Sequence, residues 1–226
     1  MKADIIDGAN QQLKLTLDDG ELAYVQKGFI LQQSANIAPL KGPTGIDLLS
    51  KIRLKMWADI GGGLSEMQSQ GTGAYVVLGR KLPGKVLTLN LSGGEKLLVH
   101  PMFLLAAESG VSIEVVSVYT QQGGTGQFLG LGKPASPFAG MQHEGAATML
   151  MGSRRGEENL ILSVTGPGNI FLYGSITEHD VNGQEFDVKN KMLVAAFDPL
   201  LDYKWGTGLI GIGATFNGKG KVYVST

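Results

Sequence analysis

Short apolar runs separated by turn residues make up most of this chain. Apolar residues fill positions 75–78, 97–99 and 160–162, and glycine, proline, serine or asparagine lies close to both ends of each run. Runs of this length that are rich in β-branched and aromatic residues are typical of β-strands. The pattern predicts an all-β protein built from many short strands.

One strand-and-turn unit occurs three times. Residues 20–25, 94–99 and 183–188 align without gaps, since each segment starts with glycine and carries valine five positions later. In each copy a large apolar residue also follows nine positions after the glycine. Internal repeats of this kind indicate duplicated units that bury a shared core.

Each aligned strand is expected to bury one face or both. Alternate residues of a strand point to opposite faces, so Leu97 and Val99 share one face and Leu98 points to the other. The pairs Ala23/Val25 and Phe186/Val188 follow the same rule. The apolar residues that come next, such as Phe29–Leu31 and 103–107, predict a strand buried on both faces.

Glycine-rich turns connect these strands. The turns at 18–20, 92–94 and 182–183 offer residues that tolerate positive φ, which a tight hairpin requires. A Gly-x-Gly element also occurs three times, at 71–73, 166–168 and 218–220, and each is followed by an apolar run. The sequence predicts a hairpin at every one of these turns.

The two elements alternate in the same order three times, which predicts one β domain over residues 1–226. Its three diverged repeats cover roughly 1–80, 81–174 and 175–226, with approximate threefold pseudo-symmetry and an irregular insertion at 117–159. Segment 45–57 fits a short helix that runs into a strand, because helical spacing and strand alternation overlap there. Four apolar residues in or near the insertion suit either an adaptable contact surface or core packing: Met141, Met149, Leu150 and Met151.

Composition narrows the setting of the protein. Glycine accounts for 34 of 226 residues, about twice the usual share of ~7%, and cysteine is absent. No apolar stretch reaches the ~20 residues of a membrane span, and residues 1–10 lack a signal-peptide pattern. The formal net charge of −1 provides no broad field for polyanions. A cytoplasmic protein is expected, and peripheral association with a membrane stays open.

Histidine offers little for metal binding or acid–base catalysis. His100, His143 and His179 lie far apart along the chain, and His143-Glu144 lacks the second histidine of a zinc-protease helix. The His-x-His pair that cupin metal sites use is also absent. We therefore expect no metal, no cofactor and no catalytic residue.

Other candidate motifs fail on their context. Residues 206–211 match the dinucleotide fingerprint, but no βαβ unit or acidic residue follows. Residues 61–65 lack the lysine of a phosphate-binding loop, and no serine lies in Gly-x-Ser-x-Gly. The acid pairs at 18–19 and 157–158 suit solvated turns. Lys51, Arg53 and Lys55 would form a basic stripe on a strand, which suits a charged edge that discourages aggregation better than it suits an anion site.

The repeats resemble a known family. Residues 89–99 (LNLSGGEKLLV), 162–168 (LSVTGPG) and 193–199 (LVAAFDP) are similar to the altered-inheritance-of-mitochondria protein 24 family, densely over 85–119 and 160–203. The resemblance implies a short double-stranded β-helix like that of the tryptophan RNA-binding attenuator. It implies no established enzymatic activity and no functional residues to transfer. The sequence departs from the family between 117 and 159.

Three functions from different classes follow. The first is a non-enzymatic scaffold or interaction protein that forms homo-oligomers. The second is a regulator that binds a small ligand or RNA, which the implied fold suggests, although basic residues interleaved with aromatics are missing. The third, and the weakest, is a cupin-like metal enzyme.

Overall fold

The computed structural model describes residues 1–40, 64–118, 159–190, 193–205 and 213–226. These residues form β-strands and one short 3-10 helix, Lys27–Phe29. The chain is therefore all-β, as predicted. The segment expected to form a helix and a strand, 45–57, lies outside the described residues, as do the four apolar residues of the insertion.

Nineteen strands follow one another within these described residues. The first seven are β1 (Lys2–Ile6), β2 (Gln12–Leu17), β3 (Leu22–Gln26), β4 (Ile30–Gln33), β5 (Ile37–Pro39), β6 (Leu64–Ser69) and β7 (Ala74–Leu78). The next six are β8 (Lys85–Leu91), β9 (Lys96–Val99), β10 (Leu104–Glu108), β11 (Ser112–Val118), β12 (Asn159–Thr165) and β13 (Gly168–Gly174). The last six are β14 (Ile176–Asn182), β15 (Phe186–Val188), β16 (Val194–Phe197), β17 (Asp202–Trp205), β18 (Ala214–Asn217) and β19 (Lys219–Ser225).

The strands pair in nested antiparallel fashion. In β2–β7, the outer strands β2 and β7 pair, the next strands inward, β3 and β6, pair, and β4 and β5 flank β7 and β6. The strands β8–β13 repeat this scheme, and so do β14–β19. We call these three sets of strands unit one, unit two and unit three. The threefold rotation that would relate them stays a prediction.

The glycine turns are corners between sheets, so the prediction of hairpins is wrong. β2 and β3 flank the turn at Gly20 but belong to different sheets, and so do β6 and β7 beside the turn at 71–73. The two turns lie side by side, because the Gly20 amide donates to the Ser69 carbonyl at 3.2 Å. Positive-φ glycine suits any sharp reversal. The two strands beside one turn do not pair with each other. Each pairs with a strand beside the other turn of the same unit, as β2 pairs with β7 and β3 with β6.

Two sheets are shared between units. The sheet β5-β6-β3-β10-β13-β8 joins unit one to unit two through β3 and β10. The sheet β11-β12-β9-β16-β19-β14 joins unit two to unit three through β9 and β16. The remaining sheets contain strands of a single unit: β15-β18-β17 of unit three, and β2-β7-β4 of unit one, to which β1 is added at the outer edge of β2.

Three apolar clusters form the core of the part of the chain that the structure describes, and the predicted alternation is confirmed. Leu97 and Val99 lie in the central cluster, while Leu98 lies in the cluster of unit three. Tyr24 belongs to the central cluster and its neighbours Ala23 and Val25 to the cluster of unit one. Each junction strand is thus buried on both faces and separates two clusters, which fixes its register strongly.

A β-bulge occurs at the same place in each unit. The pairing register shifts between Ile30 and Gln32, between Leu104 and Ala106, and between Val194 and Ala196. Val194 thus corresponds to Leu104, whereas the gapless sequence alignment places Leu193 there. The third unit holds one more residue between β15 and β16 than the second unit holds between β9 and β10, so that alignment is wrong by one position after Val188.

Candidate functional site

A groove of about 570 Å³ lies where unit two meets unit three. Strands β8 and β9 with their connecting turn form one wall, and β14, β19 and the turn after β16 form the other. Its charged lining includes three acidic residues and two basic residues: Glu95, Glu178, Asp198, Lys96 and Lys221. Apolar lining is provided by Leu89, Leu91, Leu97, Leu200 and Tyr223.

An ion pair and a buried phenol meet in this groove. The Lys221 ammonium donates to the Glu178 carboxylate at 2.7 Å, which lowers the pKa of Glu178 and raises the pKa of Lys221. Burial, reinforced by the negative charge of Glu178, raises the pKa of Tyr223 above its usual range. The phenol therefore stays protonated at neutral pH and donates a hydrogen bond to Glu178. The arrangement suits a polar ligand with an apolar part better than a polyanion.

His100 is a structural residue at the turn between β9 and β10. It is 7% exposed, and its Nδ1 accepts a hydrogen bond from the Met102 amide at 3.2 Å. Its ring also packs edge-on against Phe103, with 6.0 Å between centroids. Burial lowers the pKa of His100 to about 4. A neutral imidazole held in this way supports the turn.

His179 lies on β14, where its ring packs against Phe186 with 4.9 Å between centroids. Among the described residues no group of three histidine, aspartate or glutamate side chains could hold a metal ion. Asp18 and Asp19 lie in an exposed turn, as expected for solvated charge. Several other candidates from the sequence lie outside the described residues: His143, the acid pair 157–158, the loops 61–63 and 206–211, and the basic residues Lys51, Arg53 and Lys55.

Strands β4 and β15 lie at open sheet edges among the strands that the structure describes. Leu31 on β4 is 51% exposed, whereas Leu105 and Ala195, at the same bulge position in β10 and β16, are fully buried. Gln32 and Gln33 are exposed too. The expectation that Phe29–Leu31 leads a strand buried on both faces is therefore wrong beyond Phe29, because no strand of the described chain covers the outer side of β4.

Sequence reasoning identified neither the groove nor the edges. Glu178 and Lys221 come together only because of the register of β14 against β19. In that register Lys221 lies opposite Asp180, and Glu178 is two residues away on the same face of β14. No local motif carries that register. The exposed edge of β4 is visible in the sequence, because polar Gln32 and Gln33 occupy the positions that Ala106 and Ala107 occupy in β10.

Nested antiparallel strands that turn sheet corners together define the chain as an all-β protein of the double-stranded β-helix class. The family model described as mitochondrial biogenesis AIM24 matches residues 3–226, and the chain belongs to that family. The resemblance noted from the repeats is thus confirmed.

A solved structure shows the same fold. The X-ray crystal structure of protein SPYM3_0169 from Streptococcus pyogenes superimposes with a TM-score of 0.67 at 17% sequence identity, covering 100% of this chain and 93% of that one. No curated protein matches the chain. Within the described residues no helix is long and apolar enough to cross a membrane.

Proposed function

We propose that this protein is a non-enzymatic cytoplasmic scaffold that self-associates. The observation that carries the proposal is the way its sheets are built. Units one and two, and units two and three, are joined by hydrogen-bonded strand edges, and β4 and β15 of the outermost units lie at sheet edges among the strands that the structure describes. A strand edge with unpaired N–H and C=O groups is a template for another strand.

The side chains that could serve catalysis support a structural role. His100 is buried and accepts a hydrogen bond from the backbone, and His179 packs on Phe186. Glu178 is already engaged by Lys221 and by the Tyr223 hydroxyl. Each of these groups has a partner within the fold, so none is held ready for a substrate.

Size-exclusion chromatography with light scattering tests the proposal. At micromolar concentration we expect a defined multimer of the 23.9 kDa chain, since backbone pairing and apolar contact at β4 would both be gained on association. A clean monomer across that concentration range would overturn the scaffold proposal.

A second candidate is a regulator that binds a small ligand in the groove between units two and three. Its volume of about 570 Å³ falls within the range of ligand pockets, about 300–1,000 Å³. The carboxylates of Glu95, Glu178 and Asp198 disfavour the RNA version of this function. Filter binding with mixed RNA at low salt distinguishes the RNA-binding regulator from the scaffold. Retention of RNA would favour the RNA-binding regulator.

A further inference from the structure

Strand β1 has no counterpart in units two and three among the described strands. It pairs along the outer edge of β2, and the strands that correspond to β2 in the other two units are β8 and β14. Both β8 and β14 lie at the edge of a sheet within the described parts of the chain. Unit one therefore shows how an additional strand fits beside the first strand of a unit.

Met1 anchors β1 at a carboxylate of the glycine corner. Its ammonium donates to Glu21 Oε1 and lies 4.0 Å from Asp18 Oδ2. The hydrogen bond to Glu21, reinforced by the charges of Asp18 and Glu108, raises the pKa of this ammonium. The Met1 side chain is 4% exposed and packs against the apolar cluster of unit one. The first junction thus holds an ammonium group and an apolar side chain together.

The groove between units two and three contains the counterpart of this carboxylate. Glu95 Oε2 accepts a hydrogen bond from the Ser92 amide at 2.8 Å. Glu21 Oε2 accepts the equivalent bond from the Asp18 amide at 2.9 Å, so both carboxylates close the same turn with one oxygen. Glu21 uses its second oxygen for the Met1 ammonium. Glu95 Oε1 has no hydrogen-bond partner within the described residues.

A second acidic residue also recurs beside the groove. Glu108 ends β10 and Asp198 follows β16, each two residues after an alanine that follows the shared bulge. The side chain of Glu108 lies beside Gly168, and that of Asp198 lies beside Gly220. With three carboxylates and two ammonium groups in its lining, the groove carries one net negative charge. An added ammonium group would balance that charge.

Apolar side chains of β8 are less buried than their counterparts in β2. The pairing registers make Leu13 and Leu15 of β2 equivalent to Leu87 and Leu89 of β8. Leu13 and Leu15 are fully buried, whereas Leu87 and Leu89 are only partly buried. Burial of this remaining apolar surface would favour a strand at the outer edge of β8.

We infer that the groove between units two and three binds the amino end of an extended peptide segment from a partner protein. Glu95 Oε1 accepts from the α-ammonium of the peptide, and an apolar first side chain packs on Leu91 and Tyr223. The following residues pair with the outer edge of β8, which combines capture of a terminal amine with strand addition. This inference rests on the second candidate function, the ligand-binding groove, and names its ligand.

The partner is a different protein, because segment 1–6 of each copy is already paired with its own β2. The register of β1 on β2 places the second residue of the peptide opposite Asn90 and the fourth opposite Thr88. Unit three does not repeat the site, since uncharged Gln184 occupies the position of Glu95.

A synthetic peptide of residues 1–6 is the probe, because this segment fits the equivalent place in unit one. The peptide carries a dye at its carboxyl end, and fluorescence anisotropy follows its titration with the full chain. The peptide with a free amine should bind at least about tenfold more tightly than the same peptide acetylated, because hydrogen bonds between charged groups are the stronger ones. Hydrogen exchange of the β8 amides should slow when the peptide is bound.

Glu95→Gln should weaken binding of the free-amine peptide at least about tenfold and remove its advantage over the acetylated peptide. Glutamine keeps an oxygen for the Ser92 amide, so the turn is retained. The matched control is Glu21→Gln, which changes the equivalent carboxylate of unit one. It should leave the affinity within about twofold, because the two sites are separate. Circular dichroism checks the fold of both variants.

The outcomes separate the peptide from a small ligand. Binding that depends on Glu21 and not on Glu95 would show that the peptide displaces β1, which overturns the inference. Equal binding of the acetylated peptide would overturn it too. Methionine amide is the small probe: if it binds through Glu95 while the peptide does not, the small-ligand function stands and the inference falls. If neither probe binds, the small-ligand function falls together with the inference.

Discussion

The Gly183 amide donates to the Gly218 carbonyl at 2.7 Å, which holds together the two corners of unit three. The Gly94 amide makes the equivalent bond to the Gly166 carbonyl in unit two, at 3.4 Å. Because both strands of the nested pair leave one sheet at this point, the bond keeps them in register as they enter the next. The turn glycines therefore determine where each sheet ends.

Substitution of Gly94 by alanine should destabilise the protein. Gly94 has a φ of +80° and open space where a Cβ would lie, so the cost is conformational, about 1 kcal/mol in the free energy of unfolding. Gly93 is the matched control, because it also has open space but no positive φ. Gly93→Ala should be neutral or slightly stabilising. Urea denaturation measures both, and equal effects would contradict the conformational explanation.

The bulge position offers a second matched pair. Leu105→Ala should lower the free energy of unfolding by about 3 kcal/mol, because Leu105 is fully buried in the core of unit one. Leu31→Ala at the equivalent position should change it by less than about 0.5 kcal/mol, because the Leu31 side chain is 51% exposed. Chemical denaturation of both variants at low protein concentration checks this. A large effect of Leu31→Ala would mean that other residues cover β4 in solution.

His100 should make stability depend on pH below neutrality. Its pKa is about 4 in the folded chain and about 6.5 when unfolded, so the unfolded state takes up a proton first as pH falls. Stability is complete above pH 6.5 and declines towards pH 4, by about 2 kcal/mol between pH 6.5 and 5.

His100→Asn keeps an acceptor for the Met102 amide and removes the titration. Denaturation curves of the variant should therefore lose most of this slope. An unchanged slope would assign the pH dependence to other groups.

Excision of residues 119–158 should leave the fold intact. Val118 and Asn159 are paired directly across β11 and β12, so an Asn-Gly turn can join them without changing the register. We expect retained circular dichroism and cooperative unfolding, with the free energy of unfolding raised by at most about 3 kcal/mol because the loop to be closed is shorter. Loss of cooperative unfolding would show that Met141, Met149, Leu150 and Met151 pack into the core.

The sequence predicts the strands and their buried faces because alternation is local. Leu97 and Leu98 are buried on opposite faces of the strand because side chains alternate with a period of two, whichever strands lie next to them. The hairpins were predicted wrongly for the opposite reason. A positive-φ glycine such as Gly20 specifies that the chain turns, and the choice between a hairpin and a corner depends on which distant strand pairs with each arm.

The candidate sites depended even more on distant contacts. The ion pair of Glu178 with Lys221 requires the register of β14 on β19, and the groove requires the packing of two units. The displacement in unit three arises from one additional residue in the connection between Val188 and Val194, before the bulge that all three units share. A gapless comparison has no means of detecting such an adjustment.

The shared sheets have a consequence for unfolding. The pairs β3–β10 and β9–β16 join neighbouring units through backbone hydrogen bonds. One unit therefore cannot open without exposing a strand edge of the next, which couples the unfolding of adjacent units. A local defect in the middle unit would accordingly be felt by both of its neighbours.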